Sequence, residues 1–123
     1  MSTILVADDD RMTRQLLQRC LSTAGHKVVV ASNGLEALNL MNEQSVDLVL
    51  MDMNMPELDG WTAACKINVE FENRVPVVAV TSYGLPADKA RAATAGCKSF
   101  ITKPIDLRIL LLTVADALKP HPK

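Results

Sequence analysis

The chain has 123 residues, a formal charge of −1, and a composition that is 49% hydrophobic but only 3% aromatic. That length suffices for one domain with a real core and no staples, built from Val, Leu, Ile, Met and Ala because rings are scarce. Near-neutral charge gives no basic field for direct nucleic-acid binding and no acidic tail that would argue for disorder.

Thr3 to Ala7 is a short apolar strand, stopped by Asp8, Asp9 and Asp10. Arg11 to Ala24 carries Met12, Leu16, Leu17, Cys20 and Leu21 at the spacing of an amphipathic helix, with Asp10 as its cap and Gly25 as its stop. Lys27 to Ala31 is a β-branched second strand. Asn33 and Gly34 turn the chain into a helix over Gly34 to Asn42, buried through Leu35, Leu38 and Met41. Val46 to Met51 is the third strand, an apolar run without polar alternation that suits a strand covered on both faces of a parallel sheet. It ends on Asp52, where ligands bind in open α/β sheets. Gly60 opens a helix to Glu70, with Trp61, Ala64, Cys65 and Ile67 inward.

Val75 to Val80 is the fourth strand, with Pro76 tolerated near its start. The loop Thr81, Ser82, Tyr83 and Gly84 leads to a helix that begins near Pro86 and ends at Gly96. Lys98 to Thr102 is the fifth strand, Lys103-Pro104 a turn, and Ile105 to Lys119 the last helix. Residues 120–123 are a frayed tail, so the expectation is a single domain over residues 1–123 with its core at 3–119. Five strand–helix pairs with short connections predict a parallel sheet covered by helices on both faces, with right-handed crossovers.

Cys20, Cys65 and Cys97 show neither a C-x-x-C pair nor a zinc spacing and read as buried or half-buried reduced thiols. His26, His121 and the six methionines carry no pattern of chemistry, and Asp47 reads as a solvated turn residue. No apolar run reaches the ~18 residues of a membrane helix, and Asp8 to Asp10 interrupt the start too early for a signal peptide. The expectation is therefore a soluble, cytoplasmic protein without membrane insertion.

Parallel strands end on one edge, so Asp8, Asp9, Asp52, Thr81 and Lys103 gather there. Three carboxylates in one pocket repel unless a cation joins them. A hard divalent ion such as Mg²⁺ needs few protein oxygens and keeps its waters. With the Lys103 ammonium and the Thr81 hydroxyl, the set matches what a phosphoryl group on a carboxylate requires.

The strings Leu5-Val6-Ala7-Asp8-Asp9, Met51-Asp52-Met53-Asn54-Met55-Pro56-Glu57-Leu58-Asp59-Gly60, Val80-Thr81-Ser82 and Phe100-Ile101-Thr102-Lys103-Pro104 resemble the receiver domain of two-component response regulators. The resemblance runs from Thr3 to about Leu118. It implies the flavodoxin-like receiver fold, a five-stranded parallel sheet of order 2-1-3-4-5 with five helices. It also implies that Asp52 accepts a phosphoryl group from the phosphohistidine of a sensor histidine kinase or histidine phosphotransferase. Asp9, Asp52 and the Asn54 carbonyl would bind Mg²⁺ directly, and Asp8 through a metal-bound water. Lys103 and Thr81 would contact the phosphoryl oxygens. Thr81 and Phe100 would form the switch pair, while Asn54 and Tyr83 would tune the lifetime of the phosphoryl group.

In the last helix, Leu107, Leu110, Val114, Ala117 and Leu118 make one inward stripe. Ile109, Leu111 and Leu112 lie off it, and a helix apolar all round must cover its far side too. That side, with the neighbouring fourth helix and fifth strand, is expected to be an interaction face; the resemblance implies a downstream protein or a second copy there, and a neighbouring domain could also cover it. Two other function classes remain open beside a stand-alone switch. One is a receiver belonging to a hybrid sensor kinase or multidomain regulator, or a pseudo-receiver locked in one state as a binding module. The other is a Mg²⁺-dependent phosphatase of the haloacid dehalogenase type, whose D-x-D spacing Asp8 and Asp10 also satisfy.

Overall fold

A computed structural model describes residues 2–55, 60–72, 74–81 and 86–119, with side chains 86–88 left aside. Its elements run β1 (Thr3–Ala7), α1 (Arg11–Thr23), β2 (Lys27–Ala31), α2 (Gly34–Glu43), β3 (Leu48–Asp52), α3 (Gly60–Glu70), β4 (Val77–Thr81), α4 (Pro86–Thr94), β5 (Ser99–Thr102) and α5 (Leu107–Leu118). The strands form one sheet in the order β2-β1-β3-β4-β5, every neighbouring pair parallel. The predicted fold class and strand order are both present. No helix among the described residues is long and apolar enough to cross a membrane.

Every residue of β3 and β4 is buried, as their unbroken apolar runs require between two helical layers. Period-two alternation divides the sheet's side chains between those layers. Ile4, Val6, Leu48, Leu50, Val78, Val80 and Ile101 pack with Leu17 and Leu21 of α1 and Leu110, Val114 and Ala117 of α5. Leu5, Ala7, Val49, Met51, Val77 and Ala79 pack with Ala37 and Met41 of α2, Trp61, Ala63, Ala64 and Ile67 of α3, and Ala92 of α4.

Two helix starts follow local chemistry visible in the sequence. Asp10 accepts from the Met12 N–H at 3.1 Å and from the Thr13 hydroxyl at 2.7 Å, and Asn33 accepts from the Glu36 N–H at 2.8 Å; both are side-chain caps. Gly25 and Gly96 take φ of +98° and +87° after α1 and α4, the left-handed geometry that ends helices most cheaply at glycine.

Several expectations need correction. β3 begins at Leu48 instead of Val46 and includes Asp52, while β4 begins at Val77 instead of Val75. The last helix starts at Leu107, two residues later than expected, because Asp106 caps it through the Arg108 and Ile109 N–H groups. Periodicity also overstated what lies inward: Met12, Leu16, Leu35 and Leu107 are exposed, and so is Cys65. Where a single layer of helices covers each face of the sheet, only a narrow stripe of each helix meets it. That stripe is filled by Leu17 and Leu21 in α1, by Ala37 and Met41 in α2, and by Ala63, Ala64 and Ile67 in α3. Asp47 is not merely solvated, since its carboxylate accepts from the Thr3 N–H at 2.7 Å and ties the start of β1 to the approach to β3.

Candidate functional site at the carboxyl edge of the sheet

The alternation that buries Val6, Leu50 and Ile101 continues one step further to Asp8, Asp52 and Lys103. Register makes those positions neighbours: Ala7 pairs with Met51, and Val80 pairs with both Asp52 and Ile101. The result is a compact polar cluster on a hydrophobic floor. Asp8 and Asp52 are only 2% and 3% exposed. The Lys103 ammonium bridges them, 3.0 Å from Asp8 Oδ2 and 3.3 Å from Asp52 Oδ2. The carboxylates of Asp8, Asp9 and Asp52 each offer an oxygen within 4.8 Å of the others, with Asp9 exposed at the rim.

Backbone groups fix these carboxylates. Asp52 Oδ1 accepts from the Asn54 N–H at 3.0 Å, and Asp8 Oδ1 accepts from the Asp10 N–H at 2.8 Å. Burial pushes the Asp52 carboxyl up to about 6; the Asn54 N–H opposes that rise, the Asp8 charge adds to it, and Lys103 opposes it. Burial works against the Lys103 charge, yet the hydrogen bond to Asp8 and the charges of Asp52 and Asp8 raise its pKa above the ordinary lysine value. Among the described residues, one ammonium paired with two of three clustered carboxylates leaves the pocket with an excess of negative charge, which Arg14 on the Asp8 carbonyl only partly offsets. Hard oxygen donors with that excess fit a hard divalent cation such as Mg²⁺.

Asp8, Asp9, Asp52 and Lys103 are thus brought together as predicted. Thr81 is buried at the end of β4, and its carbonyl accepts from the Lys103 N–H at 2.8 Å. Along the strand alternation Thr81 stands with Ala79, the partner of Phe100, so the two expected switch residues share one side of the sheet at its carboxyl edge. Phe100 is half-buried against the α2, α3 and α4 layer. Asn54 is exposed beside the site. Tyr83, Ser82 and the stretch from Pro56 to Asp59 lie outside the described residues. Asp10 spends its carboxylate on capping α1, so Asp8 and Asp10 do not form the paired carboxylates a D-x-D phosphatase needs.

Two supporting residues escaped the sequence reading. Arg14 reaches back from α1 to donate to the Asp8 carbonyl at 2.6 Å. At Gly60 a Cβ would strike the Asp52 carbonyl oxygen and the Met53 Cα, while its N–H donates to the Met53 carbonyl at 3.3 Å. Only glycine lets α3 start this close to the end of β3. Its role as a helix opener was legible, but a tertiary close approach leaves no local signal.

With this geometry in view, a family comparison is decisive: residues 4–115 match the response regulator receiver domain. The chain belongs to that family. It is 31% identical over 117 residues to the polar-differentiation response regulator DivK of Brucella anthropi, covering 94% of this chain and 95% of that protein. It is 37% identical over 112 residues to the sensor histidine kinase RcsC of Salmonella typhimurium, where the match covers 91% of this chain but 12% of the kinase. The transcriptional regulatory protein GlrR of Escherichia coli is 36% identical, with 94% of this chain matching 26% of the regulator. Among solved structures, the Vibrio cholerae chemotaxis protein CheY4 superposes with a TM-score of 0.91 at 27% identity, covering 96% of this receiver and 99% of that chain. A Francisella response regulator receiver domain gives 0.90 at 28% identity, with coverage of 96% and 97%.

The expected outer face of α5 divides in two. Leu111 and Leu107 line an apolar groove with Leu16 and Cys20 of α1, so Leu111 belongs to the α1 side. Ile109 and Leu112, 52% and 65% exposed, point away from both. The cysteines carry no site chemistry: Cys20 and Cys97 are half-buried, and burial pushes the Cys97 thiol up to about 11.

Proposed function

We propose that this receiver is a phosphorylation-driven switch in which Asp52 takes a phosphoryl group from a partner's phosphohistidine. The observation that carries this reading is the single ammonium of Lys103 shared by two buried carboxylates, beside a third. In the transfer, an Asp52 carboxylate oxygen attacks phosphorus and the P–N bond breaks, its electron pair leaving on the imidazole nitrogen of the partner. The Asn54 N–H and Lys103 fix the direction in which the two Asp52 oxygens point. Lys103, freed from part of its carboxylate pairing, follows the transferred oxygens and neutralises their charge.

Asp9, Asp52 and the Asn54 carbonyl would hold Mg²⁺, with Asp8 acting through a water. The ion, when bound, would supply positive charge that neutralises the negative charge on the phosphoryl oxygens. Arg14 and the Asp10 N–H keep Asp8 in place for that duty. The Thr81 hydroxyl then bonds a phosphoryl oxygen, and Phe100, half-buried on the same strand face, turns inward behind it. The whole of residues 1–123 acts as one such receiver in the cytoplasm. Its outputs are protein contacts, with the exposed Ile109 and Leu112 on α5 available to a downstream partner or to a second copy.

Incubation with Mg²⁺ and a small phosphodonor, followed by reductive trapping and peptide mapping, tests the assignment. The phosphoryl group is expected on Asp52 and is lost when EDTA replaces Mg²⁺. A label on Asp8 would transfer the chemistry to the D-x-D phosphatase class.

A further inference from the structure

The described anchors of α4 come from α3. Both meet the last turn of α4 and the residue after it. At the start of α3, the Arg91 guanidinium lies over the Trp61 ring, 4.6 Å from its centroid. Near the end of α3, the buried Asn68 amide donates to the Ala95 carbonyl at 2.6 Å, and Gly96 presses so closely on Asn68 that a Cβ there would strike its amide. Of the described α4 side chains only Ala92 is buried, with Ala95 just beyond the helix. Two alanines bury little apolar area, so among the described residues the Arg91 and Asn68 contacts with α3 are a substantial part of the docking of α4.

α3 is in turn seated on the acceptor strand. Gly60 touches the Asp52 carbonyl and the Met53 backbone, and Trp61 is the next residue. The same Asp52-Met53-Asn54 segment supplies the Asn54 N–H that holds Asp52 Oδ1. A change in what Asp52 carries therefore acts on backbone that packs directly against the first turn of α3. Trp61 rides on that turn and Arg91 rides on α4, so a shift of one against the other changes their stacking.

We propose that the Arg91–Trp61 contact is a latch that holds α4 in its resting position and opens when Asp52 is loaded. This deepens the reading of Asp52 as a phosphoacceptor and rests on it. The route is distinct from the Thr81 and Phe100 pair because it leaves the site through β3 and α3 instead of β4 and β5. Since the latch favours the resting arrangement, loading Asp52 must overcome it, and weakening it must favour the loaded state by the same factor. A cation–π contact of ordinary strength sets that factor at about 3- to 10-fold.

Trp61 is the sole tryptophan of the chain, so its emission reads the latch directly. Beryllofluoride with Mg²⁺, a stable mimic of a phosphoryl group on a carboxylate, is titrated while fluorine NMR reports its binding and tryptophan fluorescence reports the latch. The wild type is expected to bind the mimic with a change in Trp61 emission. Arg91→Gln, at an exposed position, is expected to show little emission change and to bind the mimic about 3- to 10-fold more tightly. Arg91→Lys, which keeps a cation, is expected to fall between them. Binding without any Trp61 response, or equal affinity in wild type and Arg91→Gln, would overturn the latch and leave the phosphoacceptor reading intact. Absence of fluorine-detected binding in the wild type would overturn both, starting with the phosphoacceptor.

Discussion

On the α1 and α5 side of the sheet, Ile4, Val6, Leu48, Leu50, Val78 and Val80 are each at most 2% exposed, and the same stripe ends in Asp8, Asp52 and Lys103. On the α2, α3 and α4 side, Phe100 is only half-buried and α4 leans on Ala92, Ala95 and polar contacts from α3. The chemistry is mounted on the face packed by large aliphatic chains, which resist displacement because interiors are near crystal density. The α2, α3 and α4 side also buries Leu5, Val49, Met51 and Ile67 completely, but the parts expected to move sit at its edge, at α4 and Phe100, where packing is by small or partly exposed residues. A receiver needs both: a site held still enough to position an incoming phosphoryl group, and a neighbouring layer that shifts at modest cost.

The sharpest way to break this contrast is to damage each layer equally. Leu50→Ala, fully inside the first layer, is expected to cost about 3–4 kcal/mol in urea unfolding. Phe100→Ala, in the second, is expected to cost only about 2 kcal/mol because the ring is half-buried. Equal losses would mean that the two layers are equally rigid. Next in size, Lys103→Met is expected to slow Asp52 labelling by a small phosphodonor about 100-fold, with the fold retained by circular dichroism. A rate within a factor of two of wild type would remove Lys103 from the chemistry.

A pH measurement sharpens the same contrast, because burial on that face disfavours the charge of Asp52. Asp52 titrates near 6 when folded and near 3.8 when unfolded, so between those values the folded chain keeps a proton that the unfolded chain has released. Stability without metal therefore falls as pH rises from about 4 to about 6 and then levels off. Asp52→Asn is expected to be more stable than wild type by about 2 kcal/mol at pH 8 in EDTA, and equal to it near pH 3. Millimolar Mg²⁺ is expected to shrink that difference by stabilising only the wild type. Smallest of all, Leu112→Lys on the exposed side of α5 is expected to change stability by less than about 0.5 kcal/mol. Its readout is self-association by analytical ultracentrifugation and partner capture; a substitution silent in both would leave that face without a role.

The sheet and its polar edge were legible because each is written locally. The runs Thr3 to Ala7 and Leu48 to Met51 suit buried strands, and a residue's place at the end of such a strand fixes its edge. Asp8, Asp52 and Lys103 could therefore be assembled on paper from parallel strand order alone. What could not be read depends on contacts between distant segments. Gly60 looks like any helix opener until α3 is seen against the Asp52 carbonyl. Arg14 looks like a solvated arginine until its guanidinium meets the Asp8 carbonyl. Met12, Leu16 and Leu35 satisfied helical periodicity and still face solvent, because apolar spacing cannot say how wide a stripe the sheet will cover. The split of Leu111 from Ile109 and Leu112 has the same origin, since it depends on where α1 lies beside α5.

The most direct measurement is phosphotransfer from a panel of purified, autophosphorylated sensor histidine kinases in Mg²⁺, with Asp52→Ala run in parallel. Rapid labelling of the wild type by at least one kinase, absent from Asp52→Ala, is the expected result. Labelling that persists in Asp52→Ala, or none in the wild type from any kinase or small phosphodonor, would contradict the switch and leave a receiver fold that works only by binding.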